Sequence, residues 1–219
     1  MTNVIIIHPK NPQQRLLKQV VQVLQDGGVV VYPSDTGYAI GCCVGHKRAL
    51  ERIRQLRQLP KDHNFTLLCQ GLSQIAEFAR VDNPTYRLLR THTPGAYTFI
   101  LPATKDVPKL LLQAKKKTIG IRVSAYPIIL ALLDLLQSPM LTVSLIMPQP
   151  DFVEDTFDEP MDIAPQNIDE VEEMLEGRVD MIVDAGYCGL HPSSIIDLTG
   201  DTPQVIRIGA GDVEPFEWS

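Results

Sequence analysis

The 219-residue sequence predicts one α/β domain, a twisted mixed β-sheet flanked by helices. Strand-length runs rich in β-branched residues alternate with amphipathic stretches at helical spacing throughout. No internal repeat and no Pro/Gly-rich linker divides the chain, so residues 1–219 read as a single domain. Several consecutive strand runs have no helix between them, which argues against a uniformly parallel order, because parallel neighbours need a long crossover.

The elements follow in order. Val4 to Ile7 is a short first strand. In "NPQQRLLKQVVQVLQDGG" Asn11 reads as helix N-cap with Pro12 in the first turn. Leu16, Leu17, Val20, Val21 and Leu24 share one face, and Gly27 is the stop. Gly28 to Tyr32 is a buried strand that breaks into Pro-Ser-Asp-Thr-Gly before a second strand near Tyr38 to Cys42. "HKRALERIRQLRQL" is a helix with Leu50, Ile53 and Leu56 or Arg57 at helical spacing, and four arginines and a lysine make its wet side. "NFTLLC" is a strand, Ser73 to Ala79 a short helix, and "NPTYRLLRTH" a helix opened by Asn83 and Pro84. Strands "AYTFILP" and "TIGIRV" flank a Lys-rich connection. "YPIILALLDLLQ" is an apolar helix too short to cross a bilayer, and "MLTVSLI" is a core strand. Gln149 to Asn167 reads as an acidic surface loop. A helix from Asp169 to Glu176 stops at Gly177, and "VDMIVD", "SSIIDL" and "QVIRI" close the sheet.

The net charge of −6 hides a division. Residues 1–125 hold 18 Lys/Arg and 7 Asp/Glu, whereas residues 126–219 hold 2 and 19. A basic face binds phosphates whatever the total charge; alternatively, the two parts interleave in space and neutralise each other. Cys42, Cys43, Cys69 and Cys188 form no Cys-x-x-Cys pair and read as buried thiols, with no metal site expected. The first apolar run is too short for a signal peptide or a membrane span, so the expected location is the cytoplasm.

The usual phosphate-loop, dinucleotide, serine-hydrolase and zinc-protease motifs are absent. Polar residues instead recur at strand ends, where α/β sheets bind ligands: Ser34, Asp35 and Thr36, then Thr98, Arg122, Ser144, Ser193, Ser194 and Arg207. Singly, each is what any turn or ion pair uses. Their recurrence is the signal.

"VVVYPSDTGYAIGC", "RQLPKDHNFTLL", "TPGAYTFIL", "IGIRVSAYP" and "PSSIIDL...VIRIGAG" occur in that order. In this the chain resembles the YrdC-like family of threonylcarbamoyl-AMP synthases, and among its branches the bacterial YciO one, without the extra C-terminal domain of some relatives. The resemblance implies a YrdC-like fold with a basic concave cleft. It also implies a reaction in which threonine and bicarbonate form an N-carboxy intermediate that attacks the α-phosphate of ATP and releases pyrophosphate. Mg2+ would accompany ATP, and the threonylcarbamoyl group would pass to adenosine 37 of tRNA. By motif position, Arg57 and Ser144 are the catalytic candidates. Tyr32, Ser34, Thr36, His63 and Arg122 would bind substrate, and Arg57, Lys61, Ser144, Ser193 and Arg207 would bind nucleotide.

Two positions depart from the synthase pattern. Where synthases carry Lys-x-Arg before a proline, this chain has Arg57 and Leu59; where they carry Ser-x-Asn, it has Ser144, Leu145 and Ile146. Losing one charge-assisted contact costs roughly 1.5 to 3 kcal/mol, or about one to two decades in rate, so reduced activity is expected. Arg54 or Lys61 would compensate if their loops lie differently. The alternative is a double-stranded or structured RNA-binding protein that uses the same basic cleft without turnover, with Arg54, Lys115, Lys116 and Lys117 on phosphates. A different nucleotide-dependent acyl transfer is a third reading.

Overall fold

The computed structural model describes residues 2–60, 63, 65–108, 111, 117–146, 165, 167–189 and 191–217. The predicted acidic loop lies almost wholly outside them, as do Lys61, Lys115 and Lys116.

The chain runs β1 (Asn3–Ile6), α1 (Gln14–Gln25), β2 (Val30–Ser34), β3 (Gly37–Cys43), α2 (Lys47–Leu56), β4 (Thr66–Leu68), α3 (Leu72–Phe78), α4 (Asn83–His92), β5 (Tyr97–Pro102) and β6 (Thr118–Arg122). It continues through α5 (Pro127–Leu136), β7 (Met140–Ser144), α6 (Ile168–Leu175), β8 (Met181–Asp184), β9 (Ser194–Asp197), β10 (Gln204–Arg207) and α7 (Glu214–Glu217). The ten strands among the described residues form one sheet in the order β1-β8-β2-β3-β7-β4-β6-β5-β9-β10. Parallel pairs (β1 with β8, β2 with β8, β4 with β6, β5 with β9) mix with antiparallel ones, as the missing crossovers require.

Side-chain alternation splits the sheet into two faces. Val31, Ile40, Leu67, Phe99, Ile121 and Ile182 pack on one side against Leu50 and Ile53 of α2, Ile75 of α3, Leu89 of α4 and Val171 and Leu175 of α6. Val30, Tyr32, Leu68, Met140, Met181 and Val183 pack on the other against Leu17, Val20 and Leu24 of α1 and Ile128, Leu132 and Leu133 of α5. Each such side chain, fully buried, contributes roughly 1.5 to 3 kcal/mol. The four cysteines are free and buried, and burial pushes the thiols of Cys42, Cys69 and Cys188 up to about 12.

The two differently charged parts of the sequence interleave. β7 and β8 of the acidic part lie among β2, β3 and β4 of the basic part. Arg52 of α2 also meets Asp180, just before β8, at 2.6 Å.

Local corrections concern helix starts and one strand. Asn11 does not cap α1: His8 Nδ1 accepts from the backbone N–H groups of Lys10 and Asn11, which holds this segment in a turn, and α1 begins at Gln14. The cap of α4 is Asp82, one residue before the predicted Asn83; its carboxylate accepts from Thr85 N–H at 2.9 Å, with Pro84 in the first turn. Asn167 caps α6 reciprocally, accepting from Glu170 N–H and donating to the Glu170 carboxylate. β2 continues through Pro33 to Ser34, because β8 pairs with it only at Val30 and Val31 and leaves the far end open on that side. The short helix α7 was not legible in the sequence.

These caps separate two asparagines by experiment. Asn167→Ala should cost about 1 kcal/mol, a fall of about 2–4 °C in melting temperature. Asn11→Ala should stay within about 0.5 kcal/mol of the parent. Equal losses in a thermal melt would contradict the assignment.

Candidate functional site

The face that carries α1 and α5 is apolar beneath those helices and changes character along the same strands. Alternation from Tyr32 puts Ser34 on this side, from Met140 it puts Thr142 and Ser144, and from Leu68 it puts Thr66. Arg122 stands opposite Leu68 and so faces the same way. Here the sheet lines a cavity of about 100 Å³.

Nine candidate residues singled out in the sequence meet in it: Ser34, Thr36, Arg57, His63, Thr98, Arg122, Ser144, Ser193 and Arg207. Thr66 and Thr142 join them as residues the sequence reading missed, with Tyr38, Ala39, Val143 and Ile195 on the walls. Gly41, Thr142, Thr66 and Gly120 form one cross-strand row over β3, β7, β4 and β6. The row carries two central hydroxyls and no side chain at either end.

The hairpin between β2 and β3 sets one end of the cavity. Ser34 Oγ donates to Gly37 O at 2.6 Å and accepts from Thr36 N–H at 3.2 Å, which closes the turn on itself. Gly37 has φ +104°, and a β-carbon there would come within 2.6 Å of Gly189 O. Only glycine meets both conditions.

Three guanidinium groups line the cavity. Arg122 is 7% exposed; its Nη2 donates to Asp35 Oδ1 at 2.8 Å, and Ser124 Oγ donates to the same oxygen at 2.5 Å. Its buried Nε has no hydrogen-bond partner among the described residues. Arg207 donates from Nε and Nη2 to Ser193 O at 3.1 and 2.7 Å, and Ser193 Oγ lies 2.8 Å from Thr98 Oγ1. Burial lowers the pKa of Arg207, and the nearby Arg122 cation lowers it further. Arg57, at the C-terminal end of α2, donates from Nε to Ser144 O at 2.9 Å.

Other candidates lie elsewhere. Tyr32 is fully buried among side chains of α1 and α5 and does not line the cavity; its hydroxyl donates to Thr142 Oγ1 at 2.7 Å. Arg54 is engaged locally: it sits over the Phe65 ring at 5.1 Å, donates to Pro60 O and pairs with Glu51 at 3.6 Å. That arrangement fastens the end of α2 to its following loop and does not replace a cation at Leu59, which packs against the core. Lys117 is exposed at the entry to β6, outside the cavity. Ile146 is part of the cavity wall.

Known proteins share this sequence and fold. The Sua5/yciO/yrdC family model, described as "Telomere recombination", matches residues 22–209. The YciO protein of Escherichia coli (strain K12) is 50% identical over 216 residues, covering 99% of this chain and all of its own. Its crystal structure superposes with a TM-score of 0.89 at 48% identity over 99% of this chain and 100% of that one. A threonylcarbamoyl-AMP synthase of Hydrogenovibrio crunogenus is 28% identical over 132 residues, 58% of this chain and 70% of the relative. The fold is shared with P. abyssi Sua5 complexed with L-threonine, with a TM-score of 0.85 and 23% identity over 99% of this chain and 60% of that one. By sequence and by fold, then, the chain belongs to the Sua5/YciO/YrdC family and is related to the threonylcarbamoyl-AMP synthases.

Proposed function

We propose that the protein condenses L-threonine, bicarbonate and ATP into threonylcarbamoyl-AMP with release of pyrophosphate, at a reduced rate, to supply the modification of adenosine 37 in tRNA. The observation that carries this reading is the convergence of Arg57, Arg122 and Arg207 on one hydroxyl-lined cavity in which Arg122 Nε lacks a partner among the described residues. Cations held so closely oppose each other, and an anionic ligand relieves that repulsion. P. abyssi Sua5, which holds L-threonine in the same fold, supports an amino acid as one substrate.

In this reading Arg122, oriented by Asp35, takes the threonine carboxylate in its planar fork, with Ser34 and Thr36 beside it. The N-carboxy intermediate then attacks the α-phosphate. Arg57, Arg207, Ser144 and Ser193 hold the phosphates and stabilise charge on departing pyrophosphate. Among the described residues no group of His, Cys, Asp or Glu forms a metal cradle, so Mg2+ would enter on the phosphate oxygens of ATP. Ile146 puts an aliphatic group where an amide would add a contact, and Leu59 supplies no cation.

Pyrophosphate release by the purified protein should require both threonine and bicarbonate. Arg122→Lys keeps the charge but loses the fork, and should slow release by at least about tenfold. Release independent of threonine would overturn the reading and direct attention to salt-dependent RNA binding by the same cleft. In the opposite direction, Ile146→Asn should raise the rate by roughly ten- to a hundredfold; an unchanged rate in a folded variant would show that Ile146 does not limit turnover.

A further inference from the structure

The hydrogen bond from Tyr32 to Thr142 links a fully buried phenol to the floor of the cavity. Burial pushes Tyr32 up to about 12, so its proton stays in place near neutral pH. A phenol is a better donor and a poorer acceptor than an aliphatic alcohol, so the proton of this bond belongs to Tyr32. The Thr142 oxygen therefore accepts from below. Its own proton has no acceptor among the described residues and is left for the cavity side.

The surrounding backbone makes room for this contact. Gly41 pairs directly with Thr142, and a β-carbon at Gly41 would lie 3.2 Å from the Tyr32 hydroxyl and 2.6 Å from Leu141 O. The absent side chain lets the phenol reach under the strand. Arg122 lies near enough to favour negative charge at Tyr32, so the Thr142 hydroxyl shares its surroundings with a buried cation.

We propose that Thr142 binds an anionic ligand oxygen as a hydrogen-bond donor, and that Tyr32 is the positioning residue that turns the Thr142 hydroxyl toward it. This rests on the cavity being the substrate site. The ligand oxygen belongs to a carboxylate or a phosphate, both of which present acceptors only. A donor fixed from behind loses less rotational freedom on binding than a free hydroxyl and is strengthened by the bond it accepts.

The test is calorimetric titration of L-threonine and, separately, of inorganic phosphate into the full chain and four variants: Tyr32→Phe, Thr142→Val, Thr142→Ser and the Tyr32→Phe/Thr142→Val double. Thr142→Val should weaken binding of one of the two anions by roughly tenfold or more. Tyr32→Phe should weaken it by roughly three- to tenfold. Thr142→Ser should retain most of the affinity, and the double variant should bind no worse than Thr142→Val alone, because Tyr32 acts only through Thr142. Thermal melts identify any variant that is merely unfolded, and the serine variant keeps the test valid if valine is poorly tolerated. A full additional loss in the double variant, unchanged affinity in Thr142→Val, or a folded parent that binds neither anion would overturn the proposal. Threonine binding distinguishes the carboxylate source from the phosphate source. Phosphate binding without threonine binding would defeat the proposed amino-acid substrate while still testing the hydroxyl pair.

Discussion

Strand register across β3, β7, β4 and β6 decides which face of the sheet receives Thr142, Ser144, Thr66 and Arg122. A slip of one residue in any of these pairings would carry the hydroxyls into the apolar layer under α2 and bring Leu141 or Leu67 into the cavity. Burial on both faces is what forbids the slip. Each strand offers apolar residues to both sides at one end, and this fixes the placement of the polar residues further along. The cavity needs no scaffold of its own; it is the part of a core face where the side chains turn polar.

Electrostatics then acts on a fixed geometry. Asp35 ties the β2–β3 turn to the end of β6 through Arg122 and Ser124, so the hairpin and the cation are placed by the same carboxylate. Arg207 is anchored to a backbone carbonyl beside β9, and Arg57 to one at the end of β7. None of the three guanidinium groups depends on a flexible side chain for its main contact, apart from Arg122 on Asp35. The local field of the cavity is set by these groups, and the charge imbalance between the two parts of the sequence is moderated because their strands interleave.

Much of the fold was legible because its signals are local. The glycine stops at Gly27 and Gly177, the apolar stripes of α1 and α2, and the period of the strands all act over a few residues. Helix starts were less so, since a polar residue before proline caps only if its side chain is not outcompeted: His8 claims the turn near Asn11, and Asp82 outperforms its neighbour Asn83. For the site, polar residues at strand ends stood out, and seven of them share the cavity. Thr66 and Thr142 did not, because threonine inside a strand is ordinary. The spacing of Thr142 and Ser144 was the available clue, since residues two apart share a face. Tyr32 looked like a neighbour of Ser34 for the same reason, but one step back along the strand is already under the helices.

The strand order also bears on how the chain folds. β8 lies between β1 and β2, and β7 between β3 and β4, so apart from the β2–β3 hairpin the strands from the first third of the chain do not pair with one another until residues from Met140 onward join. During synthesis β1 in particular has no edge to pair with until Asp184 has emerged. Such long-range pairing slows folding and leaves β-branched edges open for longer. A nascent chain stopped before β7 is therefore one in which the hairpin of the future cavity already exists while the strand that gives it a floor and a neighbour does not.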